Sequence, residues 1–214
     1  MKLLPGALAP TVRALTIHGE TVDVPDGTTQ YLHLQFRRFA GCPVCNFHLM
    51  MMGRRQTEIA AAGIRQVVFF HSSREEMLKY QAQLPFDCVA DPRKDFYRAY
   101  GVETSWRALL NPRVFWSGMR WVLATGRFYR KAENGILGLP ADFLIDARGR
   151  IVAAHYGEHA DDHWEVDDLL RLARGQGALN PLQACDDAHA VNHRESKEAP
   201  NDRPAPALPS DRTV

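Results

Sequence analysis

Cys42-Pro43-Val44-Cys45 stands where a strand-like stretch meets a helix-like one, and that junction constrains the chain more than any other feature. Tyr31-Leu32-His33-Leu34-Gln35-Phe36 alternates, with Leu32, Leu34 and Phe36 on one face, as a strand does. The loop Arg37-Arg38-Phe39-Ala40-Gly41 follows. Val44, Phe47, Met51, Ile59 and Ala62 then recur near helical spacing, which predicts a helix over 42–62, and Gly63 stands where a C-cap glycine belongs.

The same signals continue downstream. Residues 66–70 read as a buried strand, Ser72 or Ser73 as the cap of a helix led by Glu75 and Glu76, 86–90 as a short strand, and 93–100 as a helix ended by Gly101. Residues 140–146 and 150–155 flank Ala147-Arg148-Gly149 as an antiparallel hairpin. An amphipathic helix is expected over 162–173. Ahead of the first strand, 12–24 suggest a β-hairpin turning at His18-Gly19-Glu20. Alternating strands and helices imply a parallel core, and the terminal hairpin makes the sheet mixed. We therefore expect an α/β domain over 12–174, a mixed central sheet flanked by helices. Residues 1–11 read as a disordered leader, 103–136 as a helical insertion, aromatic on one side and basic on the other, and 175–214 as a disordered tail.

A formal net charge of +1 gives no field that favours nucleic acid. No apolar run reaches the ~18 residues of a membrane span. Four cysteines in 214 residues are too sparse for a disulfide-stapled secreted scaffold. The leader's apolar stretch is broken by Pro5 and Gly6, so the protein is expected in the cytoplasm, a reducing compartment where a close pair points to catalysis or metal binding rather than a structural bridge.

A thiol reacts as its thiolate, and a helix N-terminus stabilises that anion through free N–H groups and the dipole. Cys42 falls at the N-cap, Pro43 at the first helical position where its missing N–H is no loss, and Cys45 one turn inside. The expected division is that Cys42 attacks and Cys45 resolves, with Arg37 and Arg38 adding positive potential. A zinc site using Cys42, Cys45 and His48 is an alternative, but no second CxxC or HxxxH supplies the remaining ligands. His48, one turn beyond Cys45, could tune it but reads first as a partly exposed helix residue; His71, at the end of a strand near the active edge, has the same plain reading, and Cys88 reads as an inert core thiol.

Gly138-Leu139-Pro140 is the second feature. A proline before a central strand cannot donate to the ladder. An ordinary trans proline is one reading. In company with the cysteine pair, a cis bond is the other; it would turn the Leu139 backbone toward the cysteine loop, where it could pair with an incoming peptide or disulfide.

Together, residues 36–45 and the run Leu139-Pro140-Ala141-Asp142-Phe143-Leu144-Ile145-Asp146-Ala147-Arg148-Gly149-Arg150-Ile151-Val152 resemble the thioredoxin superfamily. The likeness is to its peroxiredoxin-like branch, related to alkyl hydroperoxide reductase and thiol-specific antioxidant proteins. The resemblance implies a thioredoxin fold with a cis-proline at Pro140 facing the cysteines. The sequence departs from Pro-x-x-x-Thr-x-x-Cys: with Cys45 in the last place the others hold Arg38 and Cys42, and with Cys42 there they hold Gln35 and Phe39.

The expected function is a thiol-disulfide oxidoreductase. Its catalytic residues are Cys42 and Cys45, Leu139 and Pro140 bind substrate, and Arg38 and Pro43 support the pair. No cofactor or metal is called for. The partners are a protein or small-molecule disulfide or thiol, with a second copy of the chain admitted. The alternatives are a thiol peroxidase acting on hydroperoxides and a non-catalytic redox-sensing or binding module.

Overall fold

The structure, a computed structural model, describes residues 1–102, 123, 133–135 and 138–179. The elements run β1 (Val12–Leu15), β2 (Thr21–Val24), β3 (Tyr31–Arg37), α1 (Pro43–Arg54), α2 (Gln56–Ala61), β4 (Ile64–Phe70), α3 (Arg74–Leu78), β5 (Asp87–Ala90), α4 (Asp95–Ala99), β6 (Ala141–Asp146), β7 (Ile151–Tyr156) and α5 (Val166–Leu179). The chain divides after Gln176. All the strands lie in the first unit, and the described residues of the second belong to the end of α5.

Five strands form one sheet in the order β5-β4-β3-β6-β7. β3, β4 and β5 run parallel, and β6 and β7 are antiparallel, so the sheet is mixed as expected. β1 and β2 form the expected hairpin, tied to β5 by the Ile17 N–H donating to Cys88 O at 2.8 Å.

β3 is buried along its whole length, and its alternation sorts two different interiors. Leu32, Leu34 and Phe36 join Val67, Phe69 and Phe143 on the face covered by the hairpin and by Tyr97 of α4. The Phe36 ring lies 5.2 Å from Phe69 and 4.9 Å from Tyr97, in stacked and edge-on geometry. Such pairs contribute about 0.5–1.5 kcal/mol beyond their burial. His33, Gln35 and Arg37 lie on the opposite face, where Met52, Leu144, Leu169 and Leu170 bring in α1, β6 and α5.

That face also holds an ion pair with no exposure. Arg37 donates through Nη2 to Asp142 Oδ1 at 2.8 Å and through Nη1 to Oδ2 at 3.1 Å, and His33 Nε2 meets Oδ1 at 2.9 Å. Burial alone raises a carboxyl, but Arg37 and His33 hold Asp142 well below the usual carboxylate range.

The helix expected over 42–62 is two helices. At Arg55 the backbone leaves helical geometry (φ −108°), and its N–H turns to Met52 O, one residue short of the α-helical partner. The last helix begins at Val166 rather than 162. Asp162 is drawn into the preceding loop, accepting from His155 Nε2 at 2.9 Å and from the Glu158 N–H at 2.8 Å.

The leader is not loose. The Gly6 N–H donates to Ile151 O, the Ile151 N–H to Ala7 O and the Ala9 N–H to Gly149 O, which lays residues 6–9 along the start of β7. The insertion expected over 103–136 lies outside the described residues except at 123 and 133–135. The expected tail does so from 180 on, and its start, 175–179, continues α5.

The Asp142→Asn variant should lose about 3–5 kcal/mol of stability, because Arg37 would keep a buried charge without its counter-ion. Urea unfolding measures this; a loss near that of a surface substitution would show that the pair does not hold the sheet.

Candidate active site

Arg37 ends β3 and Arg38 follows it, so the two leave on opposite faces. Arg37 goes to Asp142 and adds nothing to the cysteines directly, contrary to expectation. Arg38, almost fully buried, reaches Cys42, with Nη2 3.1 Å from Sγ. Phe39 lies against its guanidinium, 5.5 Å from the ring centre.

The loop from Phe39 to Gly41 is fixed by polar contacts. The Ala40 N–H donates to Ser72 Oγ at 2.9 Å, Ala40 O accepts from Asn46 Nδ2 and Gln81 Nε2, and Gln81 also donates to Asn46 Oδ1 at 2.7 Å. Cys42 then takes the N-cap place with Pro43 behind it, and its sulfur accepts from the Cys45 N–H at 3.3 Å. Cys42 and Cys45 are free thiols with sulfurs 2.8 Å apart, Cys45 donating.

The two sulfurs differ in acidity. Burial pushes the Cys42 thiol up, but it is outweighed by the hydrogen bond from Cys45, the Arg38 charge and the helix N–H, which bring it to about 6. Burial and the neighbouring Cys42 push Cys45 well above the ordinary thiol range. Cys88, buried in β5, is pushed up to about 12 and takes no part. Among the described cysteines, Cys42 is the one that loses its proton near neutral pH.

The Leu139–Pro140 peptide bond is trans, which corrects the expectation of a cis-proline there; the cis bond among the described residues is Val24–Pro25. Pro140 precedes β6, and its carbonyl accepts from the Gly157 N–H at 2.9 Å, so the turn is settled by pairing beside β7. Leu139 and Pro140 line a small crevice with Lys2, Val102, Tyr156 and Gly157. The residue of this segment that reaches the cysteine side is Gly138. A Cβ on it would stand 3.1 Å from His71 Nε2 and 3.6 Å from Arg38 Cγ.

Sequence reasoning passed over Asn46 and Gln81, and it gave His71, at the end of a strand near the active edge, no role. For His71 a signal existed: it follows the C-terminal end of a parallel strand, the edge where α/β sheets place ligands. It is buried, and its N–H donates to Arg38 O at 3.3 Å. Burial, then Lys94, bring its pKa down to about 4. His48 is also buried, not partly exposed: its ring stacks on His163 at 3.5 Å, and Nε2 meets Trp164 O at 2.9 Å. Burial, His163 and Arg37 hold it well below the ordinary value.

The family model described as AhpC/TSA antioxidant enzyme matches residues 52–159, a stretch that starts beyond Cys45. Among solved structures, the chain is similar to the peroxidoxin BcpB of Mycobacterium tuberculosis, with 13% identity, 81% of this chain and 97% of that one covered, and a TM-score of 0.59. It is similar to the reduced 2-Cys peroxiredoxin of Plasmodium vivax, at 14% identity, 85% and 86% coverage and a TM-score of 0.61. It is also similar to a structure from Chlorobium tepidum assigned to a thiol:disulfide interchange protein, DsbE, at 22% identity, 83% and 98% coverage and a TM-score of 0.53. Comparison with curated proteins finds no match. These likenesses show a thioredoxin-like fold.

Two predictions follow from these charges. Arg38→Met should move the Cys42 thiolate midpoint from about 6 toward the ordinary ~8.5, read by ultraviolet thiolate absorbance; an unmoved midpoint would remove Arg38 from the site. His33, His48 and His71 are all held below their ordinary pKa, so each binds a proton more readily in the unfolded chain. Their stability is present above about pH 6.5 and drains away as the pH falls. Urea midpoints should drop across that range, and His48→Gln should flatten the drop.

Proposed function

The chain belongs to the AhpC/TSA antioxidant enzyme family, and we propose that within it Cys42 and Cys45 form a dithiol centre that reduces disulfides. The observation that carries this reading is the split in acidity: Cys42 at about 6 beside a Cys45 held high, on one helix N-terminus under one arginine.

The chemistry follows from those charges. The Cys42 thiolate attacks one sulfur of the substrate disulfide. An S–S bond forms to Cys42, the substrate bond breaks, and the leaving sulfur takes the electron pair and then a proton. The negative charge at Cys42 is now gone, and with it one of the causes that kept Cys45 protonated. Cys45 loses its proton and attacks the Cys42 sulfur, releasing the second substrate thiol. The substrate gains two electrons, and the protein is left with a Cys42–Cys45 disulfide that a second dithiol must reduce. A reducing compartment such as the cytoplasm suits this cycle.

A hydroperoxide is the second substrate reading, favoured by the family to which the chain belongs. The Cys42 thiolate would attack the outer oxygen and become a sulfenic acid, and Cys45 would displace water from it to close the same disulfide.

Removing each sulfur separately tests the centre. Cys42→Ser should abolish turnover of a disulfide substrate coupled to a dithiol donor. Cys45→Ser should stop after one attack and accumulate a mixed disulfide on Cys42, visible by intact mass. Full turnover by Cys42→Ser would overturn the proposal.

A further inference from the structure

His71 is the buried polar side chain near the cysteines that the dithiol chemistry leaves unused. It is 1% exposed, and among the described residues neither ring nitrogen has a partner at hydrogen-bond geometry. Leaving a buried polar group unpaired is costly. The ring is nevertheless held in place: it stands edge-on to Tyr97 at 5.8 Å, its backbone N–H donates to Arg38 O, and its own carbonyl accepts from Asn134 Nδ2 at 2.8 Å. Nε2 faces Gly138, where a Cβ would stand 3.1 Å away, so any side chain at 138 would crowd that nitrogen. The same point lies 3.6 Å from Arg38 Cγ, and the tip of Arg38 touches the Cys42 sulfur. An unpaired ring nitrogen thus flanks the stem of the arginine that holds the attacking thiolate.

We propose that His71 is a substrate-contacting residue of this centre, whose uncharged imidazole donates a hydrogen bond to the oxygen that departs when a hydroperoxide is reduced at Cys42. The inference rests on the hydroperoxide reading of the dithiol site. In the step, the Cys42 thiolate forms an S–O bond to the outer, proton-bearing oxygen. The O–O bond breaks, and its electron pair goes to the inner oxygen. Sulfur is oxidised by two electrons to sulfenic acid, and the hydroperoxide is reduced to an alcohol after the departing oxygen takes a proton from water. His71 lowers the cost of the negative charge on that oxygen before the proton arrives. Arg38 is occupied with the sulfur, so the imidazole serves the other end of the breaking bond. An N–H donor suits an oxygen leaving group better than a diffuse sulfur one. The residue therefore favours hydroperoxides over disulfides and supplies a donor where the sequence lacks the threonine of the standard peroxiredoxin motif.

The test uses the full-length reduced protein and its His71→Phe and His71→Gln variants. Oxidation of Cys42 by hydrogen peroxide is followed in stopped flow, with iodoacetamide alkylation and reaction with a small aryl disulfide in parallel. His71→Phe should slow the peroxide reaction at least about tenfold, roughly one hydrogen bond's worth. Alkylation and disulfide exchange should stay within about twofold, and His71→Gln, which keeps an N–H donor, should recover part of the loss. A peroxide loss under about twofold, or one matched by an equal loss in alkylation, would overturn the inference, since either means that His71 only shapes the thiolate. So would a wild-type protein that exchanges disulfides but ignores peroxide. A wild-type Cys42 that titrates as an ordinary thiol would instead sink the dithiol reading itself.

Discussion

The carboxylate of Asp142 lies fully buried between two strands, and the orientation of the reactive loop depends on it. Arg37 and His33 converge on it from β3, and β6 presents it at the level of Gln35 in the strand pairing. A buried carboxylate must be paired to persist, and here its partners all sit on alternate positions of one strand. This fixes which face of β3 is polar and therefore which arginine leaves on which side. A slip of one residue would exchange Arg37 and Arg38 and carry Leu34 and Phe36 out of the aromatic cluster.

Arg38 is thereby free to meet Cys42 with the loop already rigid. Asn46 and Gln81 hold the Ala40 carbonyl, Ser72 holds its N–H, and the helix begins on a sulfur that accepts the Cys45 N–H. The Cys45 thiol, the Cys45 N–H and Arg38 favour the anion at Cys42. Burial opposes that anion at both, and what separates Cys42 from Cys45 is where the donors point. The asymmetry belongs to the reduced, ready state, because it relaxes once Cys42 is bonded.

What could be read along the chain was what is local. The strand before the cysteines, Cys42 as cap, Pro43 behind it, Gly63 at a left-handed position (φ +71°) and Ser73 as the next cap all stand as expected. The alternation of strand and helix led to the mixed sheet. Misreadings fell where a distant contact outweighs local preference. The bond before Pro140 is set beside Gly157, the start of α5 by the use of Asp162 in a loop, and the order of residues 6–9 by the open edge of β7. His48 reads as a surface residue until α5's approach buries it against His163 and Trp164.

The sequence by itself determined that two cysteines would sit at a helix N-terminus after a strand, because capping and alternation act over a few residues. Tertiary structure decided which arginine faces the thiolate and that His71 and Gly138 come beside that arginine. Those outcomes depend on burial and on groups brought together from β3, β4 and the segment before β6, which no short window of sequence contains.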